Sequence, residues 1–131
     1  MLVNKKKKWK SKVVTLAVAL VLITTVGATG AAQVTAHLDG SGTSKNTSTL
    51  TASNNTNGNI YVTNTGSNTT TRGYAKREIS WWPDSTAAST SWLNPGTTST
   101  VRFSQTSGHQ YYGQIVGQTT SSRGAVRLTV N

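Results

Sequence analysis

The chain has 131 residues, thirteen Lys and Arg against three Asp and Glu, and no cysteine. The missing cysteine excludes a disulfide scaffold, and so few carboxylates and histidines leave little for a metal or acid–base site. The formal charge of +10 is uneven: six lysines precede residue 13, whereas residues 37–131 hold seven basic and three acidic groups, a net +4 on 95 residues. That balance is well short of a nucleic-acid-binding footprint.

Lys5, Lys6, Lys7, Lys8, Lys10 and Lys12, followed by the apolar run VVTLAVALVLITTV, have the form of an export signal. The run is 14 residues long, short of the roughly 20 needed to span a bilayer, and Thr24, Thr25, Gly27, Thr29 and Gly30 dilute it further. Residues 1–36 are therefore expected to be a cleavable helical signal peptide. Small residues at the first and third positions before the cut fit two bonds, after Ala32 and after Ala36. A lysine-rich leader on a cysteine-free exported chain suggests a Gram-positive bacterium. The expected location is extracellular, secreted or loosely associated with the cell wall.

Residues 37–46 (HLDGSGTSKN) read as a flexible polar segment, and residues 47–131 as one folded domain. The domain is rich in Ser, Thr, Asn and Gly, poor in helix formers, and shows no 3.6-residue periodicity. Thr, Val, Tyr and Trp favour strands, while Gly and Asn mark turns. Strands are predicted over 47–53, 59–64, 73–82, 98–105, 110–118 and 124–130, with a short extended piece at Trp92 and Leu93. Asn57-Gly58 is a strong hairpin signal, because both residues tolerate positive φ. Period-two alternation turns Ile60 and Val62, Val101 and Phe103, and Val126, Leu128 and Val130 inward. In the third strand it places Ile79 and Trp81 on one face and Trp82 on the other, so Trp81 is the expected core member and Trp82 the exposed one. Residues 84–91 read as a loop after Pro83, which cannot donate to a sheet ladder.

The run Leu93-Asn94-Pro95-Gly96, then Val101-Arg102-Phe103 and Tyr111-Tyr112, resembles the order of turn and strand in many immunoglobulin-like sandwiches. The expected fold is all-β: a small antiparallel β-sandwich of six to seven strands, immunoglobulin-like or jelly-roll-like.

Catalysis is excluded mainly by inventory. Glycoside hydrolysis uses two carboxyl groups about 5 to 10 Å apart, whereas Glu78 and Asp84 lie about 20 Å apart along a straight strand, unless the chain bends sharply at Pro83. His109 sits in a Ser-Gly turn, and no G-x-S-x-G motif is present. No catalytic residue, metal site or cofactor is expected, and the protein is read as a non-enzyme. Flat aromatic faces stack on sugars and apolar ligands at little entropic cost. The candidate binding residues are therefore Trp82, Trp92, Tyr61, Tyr74 and Tyr111. Arg72, Lys76, Arg102 and Arg127 are added as a basic face that would attract anionic surfaces. The expected partners are a cell-wall polymer, a glycan or an anionic membrane surface, with no nucleic acid. The alternatives are a bacteriocin-like toxin and a self-assembling matrix protein.

Overall fold

The computed structural model describes residues 31–131. The expected leader up to residue 30 lies outside them. Among the described residues there are nine strands and no helix: β1 Ala32–Asp39, β2 Ser44–Asn46, β3 Leu50–Thr51, β4 Asn57–Asn64, β5 Thr71–Glu78, β6 Ser85–Ser89, β7 Thr98–Ser104, β8 Gln110–Gly117 and β9 Arg123–Val130. They form two antiparallel sheets, ordered β1-β9-β4-β7 and β2-β8-β5-β6, with β3 also paired to β8. If β2 and β3 are counted as one interrupted strand, each sheet has four strands in the order of a jelly roll. The immunoglobulin-like alternative is thereby set aside.

The sheets come together because each strand presents an apolar inner face. Ile60, Val62, Val126, Leu128 and Phe103 line one sheet, Ala75, Tyr111 and Ile115 the other, and all are buried. Each fully buried aliphatic side chain contributes about 1.5–3 kcal/mol. Phe103 on β7 meets Tyr111 on β8 across the sandwich, with ring centroids 5.1 Å apart.

The strand count exceeds the six to seven expected, for identifiable reasons. The polar segment 37–46 is not a free arm: its first residues complete β1, which pairs along its length with β9, and its last three form β2 against β8. The Ser/Thr/Ala-rich stretch read as a loop after Pro83 is β6 on β5. Leu93 makes only an isolated bridge to Thr71. Asn57 and Gly58 form no hairpin and instead open β4. Gly58 is required there for space, since a Cβ would collide with the Phe103 ring.

Most connections cross from one sheet to the other, and only β5 and β6 are joined as a hairpin. The crossings gather buried polar groups at the two ends of the sandwich. At one end Asn64, 1% exposed, donates from Nδ2 to the carbonyls of Thr69 at 2.7 Å and Leu93 at 2.9 Å. Its Oδ1 accepts from the Gly66 N–H at 2.9 Å. At the other end Gln105 donates to the Asn54 and Asn131 carbonyls and accepts from the Asn131 N–H.

Truncating Asn64 to Ala orphans the Gly66 N–H and the Thr69 carbonyl and leaves the Leu93 carbonyl with the Thr71 N–H alone. Asn64→Ala is expected to lower unfolding free energy by roughly 2–4 kcal/mol, read as a reduced urea midpoint at constant slope.

Candidate functional site

Among the described residues, the β5–β6 hairpin carries the two most exposed large apolar side chains. Trp81 is 99% exposed and Trp82 74%. The expectation that Trp81 is core therefore fails. The strand ends at Glu78, before the alternation reaches the tryptophans, and the chain turns through residues 79–84. Trp81 takes φ 71°, a left-handed conformation rare for a bulky residue and costing on the order of 1 kcal/mol or more. That turn sends both indoles outward.

Asp84 closes the loop. Its Oδ1 accepts from the Ile79 N–H at 3.0 Å, and its Oδ2 accepts from the Tyr112 hydroxyl at 2.8 Å. The Ile79 N–H, then the Tyr112 hydroxyl, hold the Asp84 carboxyl below its usual range. Burial, then the Asp84 carboxylate, pushes the Tyr112 phenol up to about 12. Beside the clasp lies an open groove of about 230 Å³ lined by Asn46, Thr47, Thr49, Glu78, Asp84 and Tyr112. The straight-strand estimate for Glu78 and Asp84 is thus superseded, because the hairpin turn returns the chain and both residues line one groove.

The other predicted site residues are dispersed. Trp92 is 46% exposed and sits beside Leu93, which pairs with Thr71 at the start of β5. Trp81 and Trp82 follow the end of β5, about 23 Å away along an eight-residue strand. Trp82 and Trp92 therefore do not form one patch. Tyr111 is 2% exposed, and its hydroxyl accepts from the Thr106 N–H at 2.9 Å. It is a core residue and not a surface contact, because the inward face of β8 is the one carrying Gly113 and Ile115.

The basic residues form two groups on opposite faces of the sandwich. Arg72 and Lys76 flank Tyr74 on β5, at 5.2 and 5.1 Å from its ring centroid. Arg72 is further tied to β6 through the Thr90 carbonyl at 2.8 Å. Arg127 on β9 lies 5.1 Å from the Tyr61 ring centroid, and Arg102 is on β7 of that same sheet. A single basic face made of all four does not exist. Missed by sequence reasoning were Asp84 as the clasp, Tyr112 as its partner, and the contribution of Asn46, Thr47 and Thr49. Only the proximity of Asp84 to Trp82 gave a signal; the groove's other wall comes from a segment more than thirty residues earlier.

No family model matches the chain, and no curated protein matches it. Solved structures similar to it at low identity include the following three. The mitogen of Yersinia pseudotuberculosis is 14% identical with a TM-score of 0.45, covering 77% of this chain and 86% of that one. The C-terminal domain of a structural protein from Sulfolobus turreted icosahedral virus is 17% identical with a TM-score of 0.39, covering 77% and 98%. A chain of infectious bursal disease virus, Gt strain, is 13% identical with a TM-score of 0.38, covering 81% and 32%. At such scores these similarities say nothing of what this chain binds.

Asp84, with a lowered pKa, contributes stability present above pH 3.8, its ordinary value, and lost as pH falls through the folded value. Acidification below about pH 4 is expected to loosen the loop, read as faster tryptophan fluorescence depolarisation. Asp84→Asn should show that loosening already at pH 7, and Tyr112→Phe a smaller part of it.

Proposed function

We propose that this chain is an exported, non-enzymatic β-sandwich that binds a neutral cell-envelope glycan at the β5–β6 hairpin. The observation that carries this reading is the pairing of two exposed indoles, Trp81 and Trp82, with a polar groove at the base of their loop. An indole face stacks on the apolar face of a sugar ring, while carboxylate, amide and hydroxyl groups match its hydroxyls. The groove is smaller than the roughly 300–1,000 Å³ of drug-sized sites, which suits one sugar unit of a longer chain. Trp81 held at positive φ supports the same reading, since strain tolerated at an exposed bulky residue points to use rather than packing.

Charge favours a neutral glycan over an anionic polymer. Glu78 and Asp84 line the groove and would repel phosphate or uronate; Lys76 of β5 lies beside Tyr112 and near Asp84 but does not line the groove, and Arg102 and Arg127 belong to the other sheet. Asp84 is held toward its ionised form, so it is not the general acid that a hydrolytic reading would need. The bacteriocin-like reading draws on one observation, the near-complete exposure of Trp81, which also suits insertion at a lipid interface.

Titrating the exported protein with soluble neutral wall oligosaccharides is expected to shift tryptophan emission to the blue, with little dependence on salt. Trp82→Ala should weaken binding about tenfold or more, roughly 1.4 kcal/mol, at unchanged thermal midpoint. Binding only to anionic vesicles, falling steeply with salt, would defeat the glycan reading. Growth inhibition of other bacteria by the protein would move it to the toxin reading.

A further inference from the structure

We infer that the exported protein begins at Gln33, because the bond cut on export is Ala32–Gln33 and not Ala36–His37. The inference rests on the export reading above but not on the glycan reading. Both bonds meet the small-residue requirement, Gly30 and Ala32 before one, Val34 and Ala36 before the other. Sequence pattern does not separate them. Strand β1 does.

β1 pairs with β9 from Ala32 opposite Val130 to Asp39 opposite Arg123. It is the outer strand of its sheet, so β9 alone holds it in the ladder. Its inward residues belong to the core: Ala36 is 9% and Leu38 3% exposed, and Val34 packs against the cluster. Cutting after Ala36 would leave three of the eight β1 positions. Val34 and Ala36 would leave the core, and the backbone of β9 opposite residues 32–36 would become an open edge. Long, open, apolar edges invite pairing with other chains. Cutting after Ala32 removes only the first position of the ladder.

The new terminus is also well placed. Gln33 faces solvent, and its Nε2 donates to Thr129 Oγ1 at 3.2 Å, so a charged amine at its backbone nitrogen stays in water. The step is simple hydrolysis. Water adds across the Ala32–Gln33 amide, leaving a carboxylate on Ala32 and a free amine on Gln33, with no other reactant.

The test is the intact mass of protein recovered from the medium after expression of the full chain in an exporting Gram-positive host. The expected mass is that of residues 33–131, or that mass less one ammonia where N-terminal Gln33 has cyclised. A species starting at His37 would overturn the inference while leaving export intact. A full-length chain retained in the cells would overturn both. Gly30→Leu, which alters only the recognition sequence of the favoured bond, is expected to cut the yield of the Gln33 species at least tenfold. An unchanged yield of that species would show that the Gln33 terminus does not arise by small-residue recognition at this bond, as after trimming from an upstream cut, and would overturn the inference.

Discussion

The close approach of the two sheets governs the rest of the molecule. Val62 of β4 enters the space over Gly73 of β5, where any Cβ would collide with it. Gly113 of β8 is also close to β9, where a Cβ would lie 3.2 Å from Val126 and 3.4 Å from Leu128. With the inner faces this near, the core is built from Ala, Val, Ile and Leu, and only Phe103 and Tyr111 supply large rings. Such a core has no room for three indoles, and Trp81, Trp82 and Trp92 are all on the surface. Close packing and aromatic exposure are two sides of one constraint, since interiors are filled at near-crystalline density and extra volume is costly.

Topology then decides which exposed tryptophans stand clear of the body. A connection that crosses between sheets must run over the end of the sandwich and satisfy its backbone there. Asn64 and Gln105 do this by binding carbonyls and N–H groups of several loops at once. The β5–β6 hairpin is free of that duty and projects beyond its own sheet. Trp92, in a crossing connection tied to β5 through Leu93, stays closer to the surface. The same hairpin geometry folds Asp84 back toward Glu78 and sets a polar groove under an apolar tip. The hairpin thus carries the exposed indoles, and its base lines the polar groove.

The clasp around Asp84 links electrostatics to shape. A carboxylate bonded by an N–H and a phenol is favoured in its charged form, and the phenol is correspondingly disfavoured from ionising. Both groups therefore keep the protonation states that hold the loop across the neutral range. Arg72 and Lys76 lie against Tyr74 on one sheet and Arg127 against Tyr61 on the other. Their positive charge is thereby divided between the two sheets instead of gathered on one face.

Local chemistry alone determined the all-β class and the inward rows of β4, β7 and β9. Period-two alternation and strand propensity act over a few residues and need no partner to be read. What escaped local reading were the features set by distant segments. Asn57-Gly58 carries turn chemistry, but Phe103 across the ladder needs the space at Gly58, so the pair lies in a strand. Residues 37–46 carry one apolar residue, Leu38, too few to show an alternation, yet open ladder positions on β9 and β8 recruit their ends. Trp81 alternates correctly with Ile79, yet the strand stops at Glu78, where β5 runs out of partner residues on β8. Which aromatics are buried, which charges share a face, and which polar groups line the groove depend on strand order. Strand order is a property of the whole sandwich, because a side chain's neighbours come from strands remote in sequence.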